Sequence, residues 1–293
     1  MRQTVRSEAL LSLCSIVMLQ AQRFELKYIL DEQTAKGIRD FIFPYLTPDP
    51  FGANRANFSY PVHSLYFDSP DLKLHQSTIN GERNRYKLRI RFYEEEDDAP
   101  VYGEIKRREN NVIYKERCRI KRTAVRKIIA YQKPDRDELV NPEPEQERSL
   151  ENFCHLFNGL RAQAITHVSY LREAWYGDQG NRIRLTLDRK VMTRPEPAGR
   201  LNPKPQGGVP VFGPNVVLEL KFTGRFPQWM QEMVRVFQLR QTSAAKYVDG
   251  LITMEERRLL DPHSLQLEPH RLPHLRRPNR ESTVSAGERY GEF

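Results

Sequence analysis

The segment Lys87-Leu88-Arg89-Ile90-Arg91-Phe92 alternates charged and apolar residues, and this alternation decides the fold. Residues i and i+2 of a strand lie on the same face, so the segment has one ionic face and one apolar face. One such strand is an ordinary surface strand. Seven of them predict a sheet that curls its ionic faces around a shared interior, where a polyanion could bind. The other six are Phe24-Glu25-Leu26-Lys27-Tyr28, Gly103-Glu104-Ile105-Lys106, Tyr114-Lys115-Glu116-Arg117-Cys118-Arg119-Ile120, Tyr170-Leu171-Arg172, Arg182-Ile183-Arg184-Leu185 and Leu218-Glu219-Leu220-Lys221-Phe222.

The composition of the chain also favours an anionic partner. Its 293 residues suffice for one large domain or two small ones. The net charge is +9 and the isoelectric point is near 9.4, which suits nucleic acid, anionic lipid, nucleotide or a phosphate polymer. The three scattered cysteines, Cys14, Cys118 and Cys154, fit a reducing compartment, so we expect a cytoplasmic protein. The seven histidines show no metal-ligand spacing.

The sequence divides into three predicted regions. Residues 1–21 form an N-terminal extension whose apolar run at 9–19 is too short to cross a bilayer. A helix docked on the domain is favoured there over a secretory signal, because the residues before Arg23 make a poor cleavage site. No other segment is predicted to cross a membrane. Residues 22–260 form the folded domain, and residues 261–293, rich in Pro, Arg, His and Glu, are predicted to be disordered.

Within the domain, eight strands alternate with helices. Asp31 is predicted to cap the first helix, Pro227 to open a later one, and Ser243 to cap a last helix that runs to about Leu260. This order predicts an α+β fold built on an eight-stranded antiparallel β-barrel with surrounding helices. An ionic interior needs a counter-charge, which water and an anionic ligand would supply. The predicted strands lie near 23–30, 62–67, 84–93, 101–108, 111–121, 164–176, 181–191 and 215–222.

The candidate binding residues are the cations of these strands. No Walker loop, Gly-rich dinucleotide loop, nucleophile elbow or zinc motif is present. Arg89 and Arg91 share a strand face with Arg85 and Lys87, and the arginine fork grips phosphate oxygens in pairs. Taken alone, each strand is better explained as a solvated outer strand face, and only their coincidence favours a phosphate site. The same reasoning selects Arg172, which shares a face with Tyr170, and the pair Arg182 and Arg184.

Three glutamates and one lysine complete the set. Glu25, Glu104 and Glu219 each precede a lysine by two residues, and carboxylates facing phosphates are natural ligands of Mg²⁺ or Mn²⁺. The alternative is an ion pair within the sheet lining, and the metal role is best supported for Glu219, whose strand is otherwise apolar. Lys246 falls in the first turn of the last predicted helix, where a helix N-terminus and a lysine together favour an anion. A tolerated surface lysine is the alternative.

Taken in this order, these segments resemble the VTC domain, the polyphosphate polymerase domain of the triphosphate tunnel metalloenzyme superfamily. The resemblance spans roughly residues 22–258. It rests on Arg-Phe-Glu-Leu-Lys-Tyr at 23–28, Lys-Leu-Arg-Ile-Arg at 87–91, Gly-Glu-Ile-Lys-Arg-Arg at 103–108, Tyr-Leu-Arg-Glu-Ala-Trp-Tyr at 170–176, Arg-Ile-Arg-Leu-Thr-Leu-Asp at 182–188, Leu-Glu-Leu-Lys-Phe at 218–222 and Ala-Lys-Tyr-Val-Asp-Gly at 245–250.

The resemblance implies an eight-stranded antiparallel tunnel that makes polyphosphate from ATP with Mn²⁺ or Mg²⁺. It places Glu219 at the metal, whereas Glu25 and Glu104 are metal candidates from their Glu-x-Lys pattern alone. The family usually has Ser before the last lysine, and here Ala245 stands in its place. The expected catalytic cations are Arg89, Arg91, Lys106, Arg172, Arg184 and Lys246. The expected substrate-binding residues are Lys27, Tyr170, Arg182, Lys221, Lys115 and Ser243.

Other functions stay open at this point. A tunnel triphosphatase would use water as its nucleophile and usually relies on Glu-x-Glu strands, whereas Glu-x-Lys here favours synthesis. A non-catalytic polyphosphate-binding module would keep the cations and need no metal. We expect ATP and polyphosphate as partners and no nucleic acid, because the aromatic residues are predicted to alternate onto the apolar face. The oligomeric state is left open.

Overall fold

A computed structural model describes residues 23–93, 96, 98–110, 112–177 and 183–260. The predicted N-terminal extension, the predicted tail and Arg182 lie outside these residues. Eight long strands form the sheet: β1 (Arg23–Leu30), β3 (Ser59–Asp68), β4 (Arg85–Phe92), β5 (Val101–Glu109), β6 (Val112–Ile120), β7 (Gln163–Gly177), β8 (Ile183–Pro195) and β10 (Val216–Thr223). Two short strands, β2 (Thr47–Pro48) and β9 (Val209–Pro210), pair with β7 and β8.

The long strands are antiparallel throughout, in the spatial order β1-β10-β8-β7-β3-β4-β5-β6. This confirms the α+β class and the eight-stranded antiparallel sheet. Among the described residues, no backbone ladder joins the edge strands β1 and β6, so hydrogen bonds do not close the sheet. Strands β1 and β5 do meet through side chains, since Lys106 Nζ on β5 lies 3.3 Å from Glu25 Oε2 on β1.

Seven α-helices accompany the sheet in the described part of the chain: α1 (Glu32–Ile42), α2 (Pro50–Ala53), α3 (Lys73–Ile79), α4 (Arg122–Ile129), α5 (Pro144–Gly159), α6 (Gln228–Val236) and α7 (Lys246–Glu256). The apolar strand faces explain where most of them pack. Ile38 of α1 and Met230 of α6 cover the outer face of β1, β10 and β8. Phe153 and Phe157 of α5 cover β4, β5 and β6 together with α4.

Helix α7 packs differently, against the inner face of the sheet. Its residues Tyr247 and Leu251 are buried with Val62, Tyr170 and Val217, which point inward from β3, β7 and β10. These inward positions are apolar, unlike their ionic neighbours on the same strands. The helix therefore fills one section of the interior and leaves the remainder to the charged side chains.

Two predicted caps have different outcomes. Asp31 caps α1 as predicted, because its Oδ1 accepts a 2.7 Å hydrogen bond from the Thr34 amide. The prediction for Ser243 is wrong, since α7 begins after Ala245 and Ser243 is exposed. Asp249 replaces it by accepting a 2.8 Å hydrogen bond from the amide of Ala245. The helix also ends at Glu256, before the predicted boundary near Leu260.

Candidate functional site

The ionic faces of the strands meet in one central cavity of about 140 Å³. Eight cationic and three acidic side chains line it, a formal excess of five positive charges. The lining residues are Glu25, Lys27, Tyr66, Lys87, Arg89, Arg91, Glu104, Lys106, Tyr170, Arg172, Glu219, Lys221, Ala244, Ala245, Lys246 and Tyr247. Such an excess in a largely buried space requires a bound anion or water to offset it.

One side of the cavity holds two carboxylates among lysines. Glu25 lies 3.1 Å from Lys27 Nζ and 3.3 Å from Lys106 Nζ, and Lys221 contacts both Glu25 and Glu219. Burial and the nearby Glu219 both oppose ionisation of Glu25, but the lysines outweigh them and lower the pKa of its carboxyl to about 2. Burial likewise opposes ionisation of Glu219, and Lys221 and Lys27 hold its pKa well below the usual range.

This donor set fits a divalent ion that the protein shares with a substrate. Among the described residues, no group of three or more His, Cys, Asp or Glu side chains could hold a metal unaided. Mg²⁺, however, commonly binds through one or two carboxylates together with substrate phosphates. Glu219 and Glu25 meet that requirement, because both are ionised and both face the cavity.

Glu104 is surrounded by cations and fits an ion-pair role. Its oxygens lie 2.7 Å from Arg89 Nε, 3.0 Å from Lys115 Nζ and 3.3 Å from Arg117 Nε. Burial opposes its ionisation, yet Arg89 and the other cations keep the pKa of Glu104 far below its usual range. The Glu-x-Lys pattern allows two roles for Glu104, a metal ligand or an ion-pair partner within the sheet. The geometry supports the ion pair.

A second cluster of charged residues lies around Asp188, on another side of the cavity. Arg172 binds Asp188 through two hydrogen bonds of 2.7 and 2.8 Å, and Lys246 Nζ lies 2.8 Å from the same carboxylate. Both cations also lie 5.1 Å from the centre of the Tyr170 ring. The Tyr170 hydroxyl accepts a 3.0 Å hydrogen bond from Arg91. Asp188 is fully buried and holds both cations in place. Arg172 and Lys246 still line the cavity.

The remaining candidates lie beside the cavity or away from it. Arg184 is on the inner face of β8, 3.9 Å from Asp49 and over the Tyr176 ring, outside the lining. Lys115 is half-exposed and reaches the site only through Glu104. Ser243 is exposed and does not line the cavity.

Four groups at or beside the cavity have no assignment from the sequence. Tyr66, Tyr247 and Asp188 had no predicted role, and Lys87 was recognised only as sharing a face with Arg89. The prediction that aromatic residues keep to the apolar face is wrong for Tyr66 and Tyr247, which line the cavity beside Tyr170. Two of their hydroxyls bind arginines, as in the 3.0 Å contact of Tyr66 with Arg89. The inward parity of Tyr66 along β3 was the available signal.

Comparison with known proteins places these observations in a family. The model of the VTC domain matches residues 22–255. None of the curated proteins compared with the chain matches it. In the described part of the chain, no helix combines the length and apolar character that crossing a bilayer requires.

The solved structures that are similar to the chain share little of its sequence, as three of them illustrate. A proposed adenylate cyclase from Bacillus halodurans shares 13% identity at a TM-score of 0.43, covering 76% of this chain and 95% of its own. A proposed adenylyl cyclase from Hippeastrum with a dominant triphosphatase activity shares 14% at 0.44, covering 83% and 99%. The triphosphatase of the Mimivirus capping enzyme shares 9% at 0.29, covering 82% and 98%.

Proposed function

This chain belongs to the VTC domain family, and we propose that it is a metal-assisted, ATP-dependent polyphosphate polymerase. It would transfer the γ-phosphate of ATP to the end of a growing polyphosphate chain. The observation that carries the proposal is the cavity lining, whose excess of five positive charges suits a long run of phosphates. Phosphoryl transfer depends chiefly on alignment and charge neutralisation, which such a lining supplies.

The arginine side of the cavity is suited to hold the reacting phosphates. Arg89, Arg91 and Arg172 each have guanidinium groups fixed by Glu104, Tyr170 or Asp188. Fixed forks of this kind bind phosphate oxygens without reorganising at the moment of reaction. Lys246, fixed by Asp188, adds a point charge at the N-terminus of α7. Together they would orient donor and acceptor phosphates in line.

Glu219 and Glu25 would hold the Mn²⁺ or Mg²⁺ ion. A divalent ion held there would supply positive charge to offset the negative charge of the phosphate oxygens. Lys27, Lys106 and Lys221 would keep both carboxylates ionised and ready for it.

The carboxylates of the described lining are poor bases for water, and this supports synthesis over hydrolysis. The lining contains no Ser, Thr, Cys or His, so no phosphoryl-enzyme intermediate is expected on those residue types. Its carboxylates, Glu25, Glu104 and Glu219, all have lowered pKa values. A general base for water works best with a pKa near the operating pH. A phosphate terminus is already anionic and needs no such base.

Purified protein incubated with ATP and Mn²⁺ tests the proposal. Long phosphate chains on a gel with release of ADP would support it. ADP and orthophosphate alone would overturn it in favour of a triphosphatase, and tight polyphosphate binding without turnover would overturn it in favour of a binding module. A matched control is Arg107→Gln, which removes a cation from the opposite face of β5 and should leave synthesis unchanged.

A further inference from the structure

A second cavity, of about 200 Å³, lies beside the central one. It is formed where the inner face of β5 and β6 meets the segment that leads into α5. Strand β6 is an edge of the sheet, and this segment pairs with its free side. The Arg119 amide donates a 2.8 Å hydrogen bond to Gln146 Oε1, and the Arg119 carbonyl accepts one of 3.0 Å from the Val140 amide. The lining residues are Tyr102, Arg117, Arg119, Asn141, Glu143 and Gln146.

Arg117 joins the two cavities. Its Nε lies 3.3 Å from Glu104 Oε1, and Glu104 lines the central cavity beside Arg89. Tyr102 precedes Glu104 by two residues on the same face of β5, so their backbone positions are roughly 7 Å apart. A ligand held by its phosphates in the central cavity would therefore reach the second cavity with an attached group. The ribose of a nucleotide separates the phosphates from the base on this scale.

The second cavity is much less cationic than the central one. Two arginines and one glutamate give it a formal excess of one positive charge, compared with five in the central cavity. The carboxamides of Asn141 and Gln146 supply neutral donors and acceptors. This lining suits a neutral polar heterocycle better than a further run of phosphates.

Arg117 also provides a stacking surface. The central carbon of its guanidinium lies 3.6 Å from the centre of the Tyr102 ring, and Tyr93 meets that ring edge-on at 5.9 Å. The two tyrosines thus hold the guanidinium plane in place. Guanidinium planes stack on aromatic rings and on nucleobases. The face of Arg117 turned away from Tyr102 is therefore suited to a flat heterocycle.

Two side chains are placed to recognise the edge of such a ring. Gln146 Oε1 already accepts a hydrogen bond from the Arg119 amide, so its Nε2 group is the part that would donate to a ligand. A carboxylate such as that of Glu143 only accepts. Adenine carries an exocyclic amine, which donates, next to a ring nitrogen, which accepts. The edge of adenine therefore complements Glu143 and Gln146 together.

We propose that the second cavity binds the adenine ring of ATP, stacked on Arg117 with its amine toward Glu143 and its neighbouring ring nitrogen toward Gln146. The proposal deepens the polymerase function and rests on it only for the choice of ATP as the nucleotide. Binding of the base does not depend on turnover, so it is testable by itself. Inosine triphosphate, which carries an oxygen in place of the amine, should bind more weakly than ATP.

Isothermal titration calorimetry without a divalent ion measures binding apart from catalysis. Arg117→Lys keeps the charge beside Glu104 but removes the planar stacking surface, so Kd for ATP should rise roughly tenfold. Kd for tripolyphosphate, which has no base, should change by less than about twofold. Arg107→Lys, on the opposite face of β5, is the matched control. An equal rise for both ligands would overturn the base site, as would an unchanged Kd for ATP.

Exchange of one carboxylate for an amide tests the contact with the amine. The wild type should bind ATP roughly five times more tightly than inosine triphosphate, the worth of one hydrogen bond. Glu143→Gln offers a donor to the oxygen of inosine, so this preference should fall below about twofold. Glu145→Gln, at an exposed neighbour outside the lining, should leave the preference unchanged. Equal affinity of the wild type for both nucleotides, or an unchanged preference in Glu143→Gln, would refute the assignment.

These measurements separate the base site from the polymerase function. If gels show no polyphosphate while Arg117→Lys weakens the binding of ATP alone, the base site stands and the polymerase proposal fails. If polyphosphate is made while the variants bind ATP as the wild type does, only the base site fails. If the wild type binds neither ATP nor tripolyphosphate, both proposals fail.

Discussion

Replacing Asp188 by Asn should destabilise the free protein strongly, and a polyphosphate ligand should restore much of the loss. Asp188 is fully buried and holds Arg172 at 2.7 and 2.8 Å and Lys246 at 2.8 Å. The amide keeps the shape of the side chain but removes its charge, which leaves two adjacent cations uncompensated. Breaking a buried pair in this way costs about 3–5 kcal/mol. For a domain of this size the expected fall in Tm is roughly 6–20 °C.

The assay is thermal unfolding followed by circular dichroism at pH 7.5, with and without tripolyphosphate. A ligand present at 100 times its Kd stabilises a protein by about 2.7 kcal/mol. Phosphate oxygens would replace the missing carboxylate, so the variant should gain more from the ligand than the wild type gains. The control is Asp71→Asn, which breaks an exposed pair with Lys73 at 3.7 Å and should shift Tm very little.

The pH dependence of the same pair gives an independent check. Burial opposes ionisation of Asp188, but Arg172 and Lys246 outweigh it and lower its pKa to about 2. The stability that this depressed pKa provides is therefore present above the ordinary value near 3.8 and is lost as pH falls through about 2. The Asn variant has no carboxyl group at this position, so its stability should lack the contribution that is lost as the Asp188 carboxylate is protonated. A Tm for Asp188→Asn within 2 °C of the wild type at pH 7.5 would refute the reasoning.

Three further outcomes are expected. Glu219→Gln should abolish Mn²⁺-dependent polyphosphate synthesis on gels while ATP still raises Tm without metal; unchanged turnover would contradict the metal role. Burial, then His63, lowers the pKa of His167 to about 3, so the folded state should lose stability as pH falls from about 6.5 toward 3. Urea midpoints between pH 7 and pH 4 should fall less steeply for His167→Leu, and equal slopes would argue against it. Gly103→Ala would place a Cβ 2.8 Å from Cys118 Sγ, costing about 1–3 kcal/mol in urea unfolding; adding Cys118→Ala should recover part of it, and no recovery would exclude that clash.

The strands were predictable because their signal is local. In β1, β4, β5 and β10 the charged positions recur every two residues, and the observed bounds differ from the predicted ones by at most one residue. The same parity identified most of the cavity cations, including Lys27, Arg89, Arg91 and Lys106. Because residues two apart lie on the same face of a strand, the sequence shows which side chains share a face. Charged residues on one face of several strands are enough to predict an ionic interior.

The unpredicted features depend on contacts between distant residues. Asp188 binds Lys246 although 58 positions separate them, and no spacing rule links a strand residue to the first turn of a later helix. The inward packing of α7 was equally hidden, because Tyr247 and Leu251 would suit an outer face as well as an inner one. Only the apolar inward positions of β3, β7 and β10 decide between them. The alternation along the strands therefore predicts which strand residues line the cavity, but it does not predict that helix α7 packs against the inner face.

The excess of positive charge links the stability of the domain to the binding of its ligand. A ligand that binds only the folded state must stabilise it, and a group that repels its neighbours in the free state gains most from an arriving anion. Burial and the neighbouring Lys27 make the charged form of Lys87 unfavourable and lower its pKa to about 7. Lys87→Met should thus stabilise the free protein and weaken phosphate binding. Removal of a carboxylate that pairs two cations should do the reverse, as expected for Asp188→Asn. If both variants shift Tm in the same direction, charge balance is not what couples folding to phosphate binding, and the shape of the cavity would have to explain both.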